Sequence, residues 1–364
     1  MIWRVARAAR APTVALALSL LVLVALLAAG DYSVSASLSA LWRGAFGSWA
    51  VIASGTLVRA TPLLFAGLAV LLAFRAGILN IGAEGQLLAG AAAATAVAVI
   101  LPPAFGTAGL LLALLAGIAA GGAWAAIAAL LRLQFGVLEV ISTIMLNVIM
   151  LHCIGWLVRG PLQEPTGTFP QSALIDAALR LPRLVNGTRL HAGAALGIAC
   201  AVALSWFLRA TAPGFRLRMT GANPRASASA GGINVSRVTM LAFIASGAIA
   251  GLGGAVQVTG VTFALYENLS PGYGYTAIAV ALLARLNPGS AVVSALVFGA
   301  LEAGATAMQR DAQVPAGMVS VVEACVILML LASEWIGARA GGWVTLIWGG
   351  TPRATAMDSG ATAP

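Results

Sequence analysis

Long apolar runs, each close to the length that crosses a bilayer, recur along the whole chain with polar stretches between them. A helix needs about 20 apolar residues to span the hydrocarbon core of a membrane. The pattern therefore predicts an all-α, polytopic transmembrane bundle of about ten spans. These predicted spans lie at about 13–29, 50–73, 78–101, 107–131, 137–158, 190–208, 238–260, 270–287, 290–308 and 316–337.

The predicted span at 270–287 differs from the others in length. Between Tyr275 and Asn287 the regular apolar helix covers only about eleven residues. At 1.5 Å per residue this helix is roughly 16 Å long, against about 30 Å for the hydrocarbon core. Either it is a short or broken helix that lines a solute path, or it is a short helix at a thinned edge of the bilayer.

Composition supports a membrane protein, with 60% hydrophobic residues, 9% charged residues and a mean hydropathy of +0.98. Soluble domains carry about 25% charged residues. The net charge is +9, and every basic residue is an arginine. The arginines are dispersed between apolar runs, so a role in nucleic-acid binding is not indicated. The alanine, glycine and arginine usage is typical of a GC-rich bacterial genome. We expect a multi-pass protein of the bacterial inner (cytoplasmic) membrane.

The arginines also orient the predicted spans. Arg4, Arg7 and Arg10 precede a first apolar run that is too long for a cleaved signal peptide. We expect residues 1–12 to be a cytoplasmic N-terminus, 13–342 the membrane domain and 343–364 a cytoplasmic tail. This topology puts thirteen arginines inside and six outside. It makes 159–188 an external loop and 209–237 a cytoplasmic loop.

Groups for catalysis or metal binding are scarce in the sequence. His152 and His191 lie near predicted helix ends without ligand-like partners, and the three cysteines show no CxxC spacing. We expect no catalytic residue, no metal and no cofactor. An intramembrane enzyme would need a nucleophile with a base, or a ligand cluster, inside the spans.

Two stretches place polar groups where helices are predicted. In RAGILNIGAEGQLLAG (75–90), Asn80, Glu84 and Gln86 are interleaved with glycines. These groups contact the solute or another subunit, or they form a helix N-terminus at the cytoplasmic surface with Glu84 near Arg75. In VLEVISTIMLNVIML (137–151), polar residues recur every four positions and form a stripe on one face. The stripe, consisting of Glu139, Thr143 and Asn147, lines the solute path or hydrogen-bonds a neighbouring helix.

Two tyrosines and one polar loop complete the candidate residues. Tyr273 and Tyr275 could stack on a planar ligand or serve as interfacial aromatics. In MTGANPRASASAGGINVSR (219–237), Asn223 is a favourable N-cap and Pro224 suits the first helical turn. A short helix ending at Gly231-Gly232 would have the shape to dock into a groove on another protein. The alternative is a plain loop whose arginines obey the positive-inside rule.

Four ordered stretches resemble one family of transporters. GANPRASASAGGINVSRVTMLAFIASGAIAGLGGA (221–255) is similar to the signature loop and following helix of ABC-importer permeases of the branched-chain amino acid, ribose and nucleoside group. LNIGAEGQ (79–86), EVISTIMLN (139–147) and GYGYTAIAVALLARLNPGS (272–290) resemble the nucleoside-type branch. The resemblance runs from about residue 55 to 335. The chain departs from the pattern at Ser227 and Ser229, where alanine or a larger residue is commoner.

The resemblance implies an ATP-driven importer in which this chain is the non-catalytic permease subunit. ATP hydrolysis would occur on a separate ATP-binding subunit, since the chain has no GxxxxGK[ST] motif. The other implied partners are a second permease subunit in a heterodimer and a periplasmic or lipid-anchored solute-binding protein. The helix at about 223–230 would be the coupling helix seated on the ATPase. Its implied coupling residues are Gly221, Asn223, Pro224, Arg225, Gly231 and Gly232.

A nucleoside or similar small polar solute is the expected substrate. A simple sugar such as ribose, or a branched-chain amino acid, remains an alternative. An ion-coupled secondary transporter would instead show charged partners near the midplane and internal repeats. Neither feature is evident in the sequence.

Overall fold

The computed structural model describes residues 21–229, 232–315, 317–318, 321 and 324–325. Within these ranges every regular element is helical. The helices are α1 (21–29), α2 (Val34–Phe46), α3 (Trp49–Arg75), α4 (Ala83–Ile100), α5 (Gly106–Phe135), α6 (Glu139–Arg159), α7 (Gly193–Ala210), α8 (Ala212–Ala222), α9 (Pro224–Ser229), α10 (Val235–Gln257), α11 (Tyr273–Leu283) and α12 (Pro288–Asp311). A π-helical turn at Ile52–Thr56 lies within α3, and a second at Val258–Thr262 extends α10.

Seven helices in the described ranges are long and apolar enough to cross a membrane: α3, α4, α5, α6, α7, α12 and α10 with its π turn. They confirm seven predicted spans to within a few residues, and with them a multi-pass helical membrane protein. The predicted span at 270–287 is α11, an apolar helix of only 11 residues. Residues 13–20 of the first predicted span, most of the predicted span 316–337, and all of 1–12 and 343–364 lie outside the described residues.

Two helices occur where the sequence predicted none. Helix α2 has 13 residues, so at 1.5 Å per residue it is too short to span the membrane. It packs on α12, where Gly44 lies directly against Ala307 and leaves no room for a side chain. Helix α8 occupies part of the predicted 209–237 loop. The Thr211 hydroxyl caps it by accepting a hydrogen bond from the Gly214 amide at 3.1 Å.

The buried helix α3 and the glycine-rich helix α10 hold the bundle together. Helix α3 packs against α10, α11 and α12, and α10 packs against α4 and α5. Where α10 packs against α4 and α5, the helices meet backbone to backbone. A Cβ atom built on Gly251 would overlap the backbone of Gly117 and Gly121, and one built on Gly90 would overlap Gly251. Small residues permit such close approach between membrane helices.

The segment between α6 and α7 is irregular, as predicted for 159–188, and it is tied to the end of α10. The Ile175 amide donates to the Phe263 carbonyl at 2.8 Å, and the Leu181 amide donates to the Thr259 carbonyl at 3.0 Å. The Arg180 guanidinium lies 4.4 Å from the centroid of the Phe263 ring. This segment therefore covers one end of the bundle as a folded layer.

His191 closes that layer just before α7. Its side chain is 1% exposed, and Nδ1 accepts a hydrogen bond from the Gly193 amide at 3.2 Å. Burial, with a smaller contribution from the positive charge of Arg189, lowers the pKa of His191 to about 4. The imidazole is therefore neutral at pH 7 and acts as a packed acceptor.

The backbone contact at Gly251 generates a stability prediction. Gly251→Ala should destabilise the purified protein by about 1–3 kcal/mol, because the added methyl group has no space between α10 and α5. Gly289→Ala is the matched control, since the nearest atom to its Cβ would be Asn287 Oδ1 at 3.5 Å. Thermal unfolding in detergent, followed by size-exclusion chromatography, measures both. Equal midpoints for the two variants would contradict the proposed packing.

Candidate functional site

The chain between α3 and α4 turns back into the bundle. Arg75, at the end of α3, donates from Nε to the Leu286 carbonyl at 2.8 Å. Asn80 lies deeper and is completely buried. Its Nδ2 donates to Ser246 Oγ at 3.0 Å, and Ser246 Oγ donates to the Ala69 carbonyl at 2.7 Å. Ala69 precedes Arg75 by six residues of helix, or roughly 9 Å. Helix α4 therefore begins inside the bundle.

A second helix, α11, begins at the same depth, and one carboxylate lies between the two N-termini. Glu84 Oε2 accepts a hydrogen bond from the Gly274 amide at 2.6 Å, and the Ser270 side chain is a further partner. The helices approach so closely that a Cβ on Gly274 would overlap the Glu84 backbone. Each N-terminus carries a partial positive charge, which the buried carboxylate complements. The alternative that put Glu84 near Arg75 at the surface is wrong.

Asn147 of α6 ties the same two helices together. Its Oδ1 accepts from the Gly85 amide at 2.8 Å, and its Nδ2 donates to the Ile81 carbonyl at 2.9 Å. The same Nδ2 lies 3.3 Å from Tyr275 Oη. Asn147 is 3% exposed, whereas Tyr275 is 45% exposed. The side-chain amide of Asn147 thus caps the start of α4 and contacts Tyr275, which is exposed at the surface.

Asn80 and Gln86 pair through their side-chain amides. Asn80 Nδ2 donates to Gln86 Oε1 and Gln86 Nε2 donates to Asn80 Oδ1, both at 3.1 Å. Asn80 Oδ1 also accepts from the Gly82 amide at 2.9 Å. Burying amides without partners would be costly, so this mutual pairing allows two of them to lie in an apolar bundle.

These groups lie together around the start of α4, where the backbone of residues 80–86 connects them into one network. We term this network the interior polar cluster: Asn80, Glu84, Gln86, Asn147, Ser246, Ser270 and Tyr275. Five of its members were predicted from the sequence. The two serines were missed, because a single serine in an apolar run or a turn carries no local signal. Tyr273 lies at the start of α11 and is buried beside the cluster.

The remaining two predicted residues lie outside this network. Glu139 Oε1 accepts from Arg132 at 2.8 Å, across the turn between α5 and α6. Thr143 Oγ1 donates to the Glu139 carbonyl at 2.6 Å, within its own helix. The predicted stripe on α6 is buried at Thr143 and Asn147, but only Asn147 bonds to other helices.

Trp124 of α5 lies at the edge of the interior polar cluster. A Cβ on Gly85 would be 3.1 Å from its Nε1. That indole nitrogen is buried, and in the described part of the chain it has no hydrogen-bond partner. Trp124 also lines an apolar lateral groove of about 500 Å³, half of whose lining residues are alanine. Trp124 and Tyr273 therefore lie beside the cluster, and Tyr275 is its exposed aromatic member.

The predicted short helix is confirmed as α9, at the far end of the bundle from the 160–192 layer. Asn223 Oδ1 accepts from the Ala226 amide at 3.0 Å, which is the expected N-cap. Every side chain of α9 except Ser227 is exposed. Gly232 follows with a φ of +57°, a conformation that favours glycine. Gly231 lies outside the described residues.

Helix α9 is linked to the interior through backbone contacts. A Cβ on Gly221, at the end of α8, would overlap the backbone between Arg75 and Gly77 at the end of α3. Arg75 in turn bonds to Leu286, just after α11. A chain of contacts therefore runs from α9 through α8 and the end of α3 to the end of α11, and the first turn of α11 contacts Glu84.

Comparison with known proteins identifies the class. The sequence profile of the family described as branched-chain amino acid transport system, permease component, matches residues 52–333. The chain belongs to this family of membrane permeases.

Several curated relatives are ABC transporter permeases. The glucose permease TsgB13 of Haloferax volcanii is 40% identical over 77% of this chain and 76% of its own length. The guanosine permease NupP of Bacillus subtilis is 37% identical over 88% of this chain and 92% of its own. The nucleoside permease NupB of Lactococcus lactis is 32% identical over 76% of this chain and 78% of its own length. No solved structure matches this chain significantly.

Asn147 and Thr143, one helical turn apart, form a matched pair for a stability test. Asn147→Leu should destabilise the protein by about 1–3 kcal/mol, because it leaves the Gly85 amide and the Ile81 carbonyl buried without partners. Thr143→Val should cost much less, since its hydroxyl bonds only within α6. The thermal unfolding midpoints of the two purified variants measure both losses of stability. A larger loss in Thr143→Val would show that Asn147 does not hold the cluster.

Proposed function

We propose that this chain is the membrane-spanning subunit of an ATP-driven importer that carries a nucleoside across the inner membrane of a bacterium. One observation carries the substrate class: the similarity to the guanosine permease covers 88% of this chain and 92% of that relative. A second nucleoside permease matches over 76% of the chain. Family membership supports the transport function itself.

A simple sugar is the second candidate solute. The relative named as a glucose permease has 40% identity, although its match covers less of both chains. Branched-chain amino acids, which the family description names, are a third candidate. An ion-coupled secondary transporter is disfavoured by the family match.

The importer would be completed by other subunits. ATP hydrolysis belongs to a separate ATP-binding subunit, because this chain lacks a GxxxxGK[ST] motif. A second permease subunit and a periplasmic or lipid-anchored solute-binding protein are the other expected partners. With both termini in the cytoplasm and ten spans, α9 faces the cytoplasm and the 160–192 layer faces outside.

Helix α9 would be the coupling helix. Its exposed side chains offer a surface for the ATP-binding subunit, with Asn223, Pro224 and Arg225 at its start and the Gly231-Gly232 pair after it. Movement of α9 would displace the end of α3 through Gly221. The bond from Arg75 to Leu286 would then pass the movement to α11. Such a shift would reach the interior polar cluster, where α11 meets Glu84.

The solute path would run past the half-exposed end of that cluster. Asn80, Glu84 and Gln86 fix the backbone, and Asn147 presents an amide beside Tyr275. A nucleoside base could stack on the exposed ring of Tyr275. The Trp124 N–H, which has no hydrogen-bond partner in the described part of the chain, offers a donor nearby. Glu139, Thr143 and Tyr273 would support this wall rather than contact the solute.

The coupling role of α9 is tested by reversing one exposed charge. Arg225→Glu should reduce ATP-dependent uptake at least tenfold in proteoliposomes containing all subunits, because it puts a carboxylate on the proposed docking surface. Arg183→Glu, exposed at the opposite end of the bundle, is the control and should transport normally. Co-purification of the ATP-binding subunit is measured in parallel. Normal uptake by Arg225→Glu would remove α9 from the coupling mechanism.

The stacking role of Tyr275 is tested by two substitutions. Tyr275→Ala should weaken nucleoside transport at least tenfold, since stacking of a base on an aromatic ring contributes about 1–3 kcal/mol. Tyr275→Phe keeps the ring and should stay within about threefold of the unmodified protein. Uptake of labelled guanosine and glucose is compared for each variant. Glucose uptake without guanosine uptake in the unmodified importer would establish the sugar alternative.

A further inference from the structure

A cavity of about 540 Å³ opens at the end of the bundle opposite α9. It lies between the end of α2, the start of α3, the last turns of α12 and the residue Arg189 before α7. Its lining residues are Arg43, Gly44, Gly47, Ser48, Val51, Ser54, Gly55, Arg59, Arg189, Ala303, Thr306, Ala307, Arg310 and Asp311. We term this cavity the arginine pocket.

Four arginines from separate elements line the arginine pocket. Arg310 pairs with Asp311, with Nε to Oδ1 at 2.7 Å. Arg43 donates from Nε to the Ser39 carbonyl at 3.3 Å. Arg59 donates to Thr306 Oγ1 at 3.3 Å. Asp311 is the one carboxylate among the lining residues.

Among the residues that the structure describes, the charge of the arginine pocket stays positive when the neighbouring carboxylate of Glu302 is counted. Glu302 lies one helical turn before Thr306, whose hydroxyl donates to the Glu302 carbonyl at 2.9 Å. Four guanidinium groups against the carboxylates of Asp311 and Glu302 leave two net positive charges. Grouping like charges around one cavity is unfavourable unless an anion offsets them.

The walls of the arginine pocket suit an oxyanion. Ser48 and Thr306 add hydroxyl groups to the four arginines that line it. The planar fork of an arginine side chain matches the oxygen atoms of a phosphate, which several arginines can contact at once. The volume lies within the range of about 300–1,000 Å³ found for small-molecule sites, so it has room for more than one phosphate group.

We infer that the arginine pocket binds a phosphate-bearing anion. The two negative charges of a phosphate monoester match the two net positive charges of the site. The phosphate belongs either to a soluble phosphate ester or to the headgroup of an anionic lipid, since the pocket opens at one end of the membrane bundle. This inference does not depend on the transported solute.

The first experiment measures thermal unfolding of the full-length chain in nanodiscs of phosphatidylcholine. Inorganic phosphate is titrated against chloride at constant ionic strength. A ligand that binds only the folded protein raises its midpoint. We expect phosphate, and not chloride, to stabilise the unmodified protein. Arg43→Gln/Arg189→Gln should weaken this effect at least tenfold, whereas Arg183→Gln should leave it unchanged.

A variant that unfolds without ligand would not decide the question, so Arg189→Gln is measured alone as well. The Arg189 side chain is exposed, and it is the backbone amide of this residue that bonds to Ser54. We expect this single variant to keep the unfolding midpoint of the unmodified protein and to bind phosphate at least threefold more weakly. Unchanged phosphate binding in Arg189→Gln would contradict the inference.

A second arm separates the two sources of phosphate, using nanodiscs that contain phosphatidylglycerol. If a lipid headgroup is the ligand, added phosphate should no longer stabilise the protein. Native mass spectrometry should then find phosphatidylglycerol retained by the unmodified protein and lost from Arg43→Gln/Arg189→Gln. If a soluble ester is the ligand, stabilisation by phosphate should persist. The inference is overturned if phosphate acts no differently from chloride and lipid retention is equal in both proteins.

Discussion

The hydrogen bond from the Gly274 amide to the Glu84 carboxylate is the contact on which the interior of this protein depends. Two helices, α4 and α11, begin inside an apolar bundle, where the free amides of a helix N-terminus find no water. Glu84 supplies an acceptor to one N-terminus and lies close to both. Asn147 completes the arrangement by accepting from the Gly85 amide. A half-length helix can therefore start in the middle of the bundle.

Close packing of glycines brings the members of this network within reach of each other. Helix α10 approaches α5 so closely that a Cβ on Gly247 would overlap the Gly121 backbone. The next residue toward the N-terminus of α10 is Ser246, which bonds to both Asn80 and Ala69. The backbone contact at Gly247 and the hydrogen bonds of Ser246 are therefore made by adjacent residues of the same helix. A larger residue at the glycine would separate the serine from its partners as well.

The two ends of the bundle are built for different contacts. At one end, α9 presents exposed side chains on a capped helix whose neighbour α8 rests on the end of α3. At the other end, a folded layer covers the end of α10, and four arginines surround a cavity beside it. A transporter must receive energy on one side and meet its environment on the other. Under the proposed function, the exposed helix would serve the first role and the end with the concentrated charge the second.

The sequence by itself determined the class of protein, most of the spans and the short capped helix. Each of these depends on residues that are close in the sequence. A span is read from the length of an apolar run, and the cap Asn223 lies three positions before the amide from which it accepts a hydrogen bond. The eleven-residue length of α11 was also predictable, although its depth in the bundle was not. The resemblance of four ordered motifs added the family, which the profile match then showed.

The tertiary structure alone decided which polar groups meet. Glu84 and Gly274 are 190 positions apart, and nothing near either residue identifies the other. Glu139, Thr143 and Asn147 share a periodic pattern, yet only Asn147 joins the interior polar cluster. A helical period specifies a face, but neither the depth of a residue nor the neighbour it meets. Those are set by the packing of distant helices, because a polar group in an apolar interior is stable only where another segment brings it a partner.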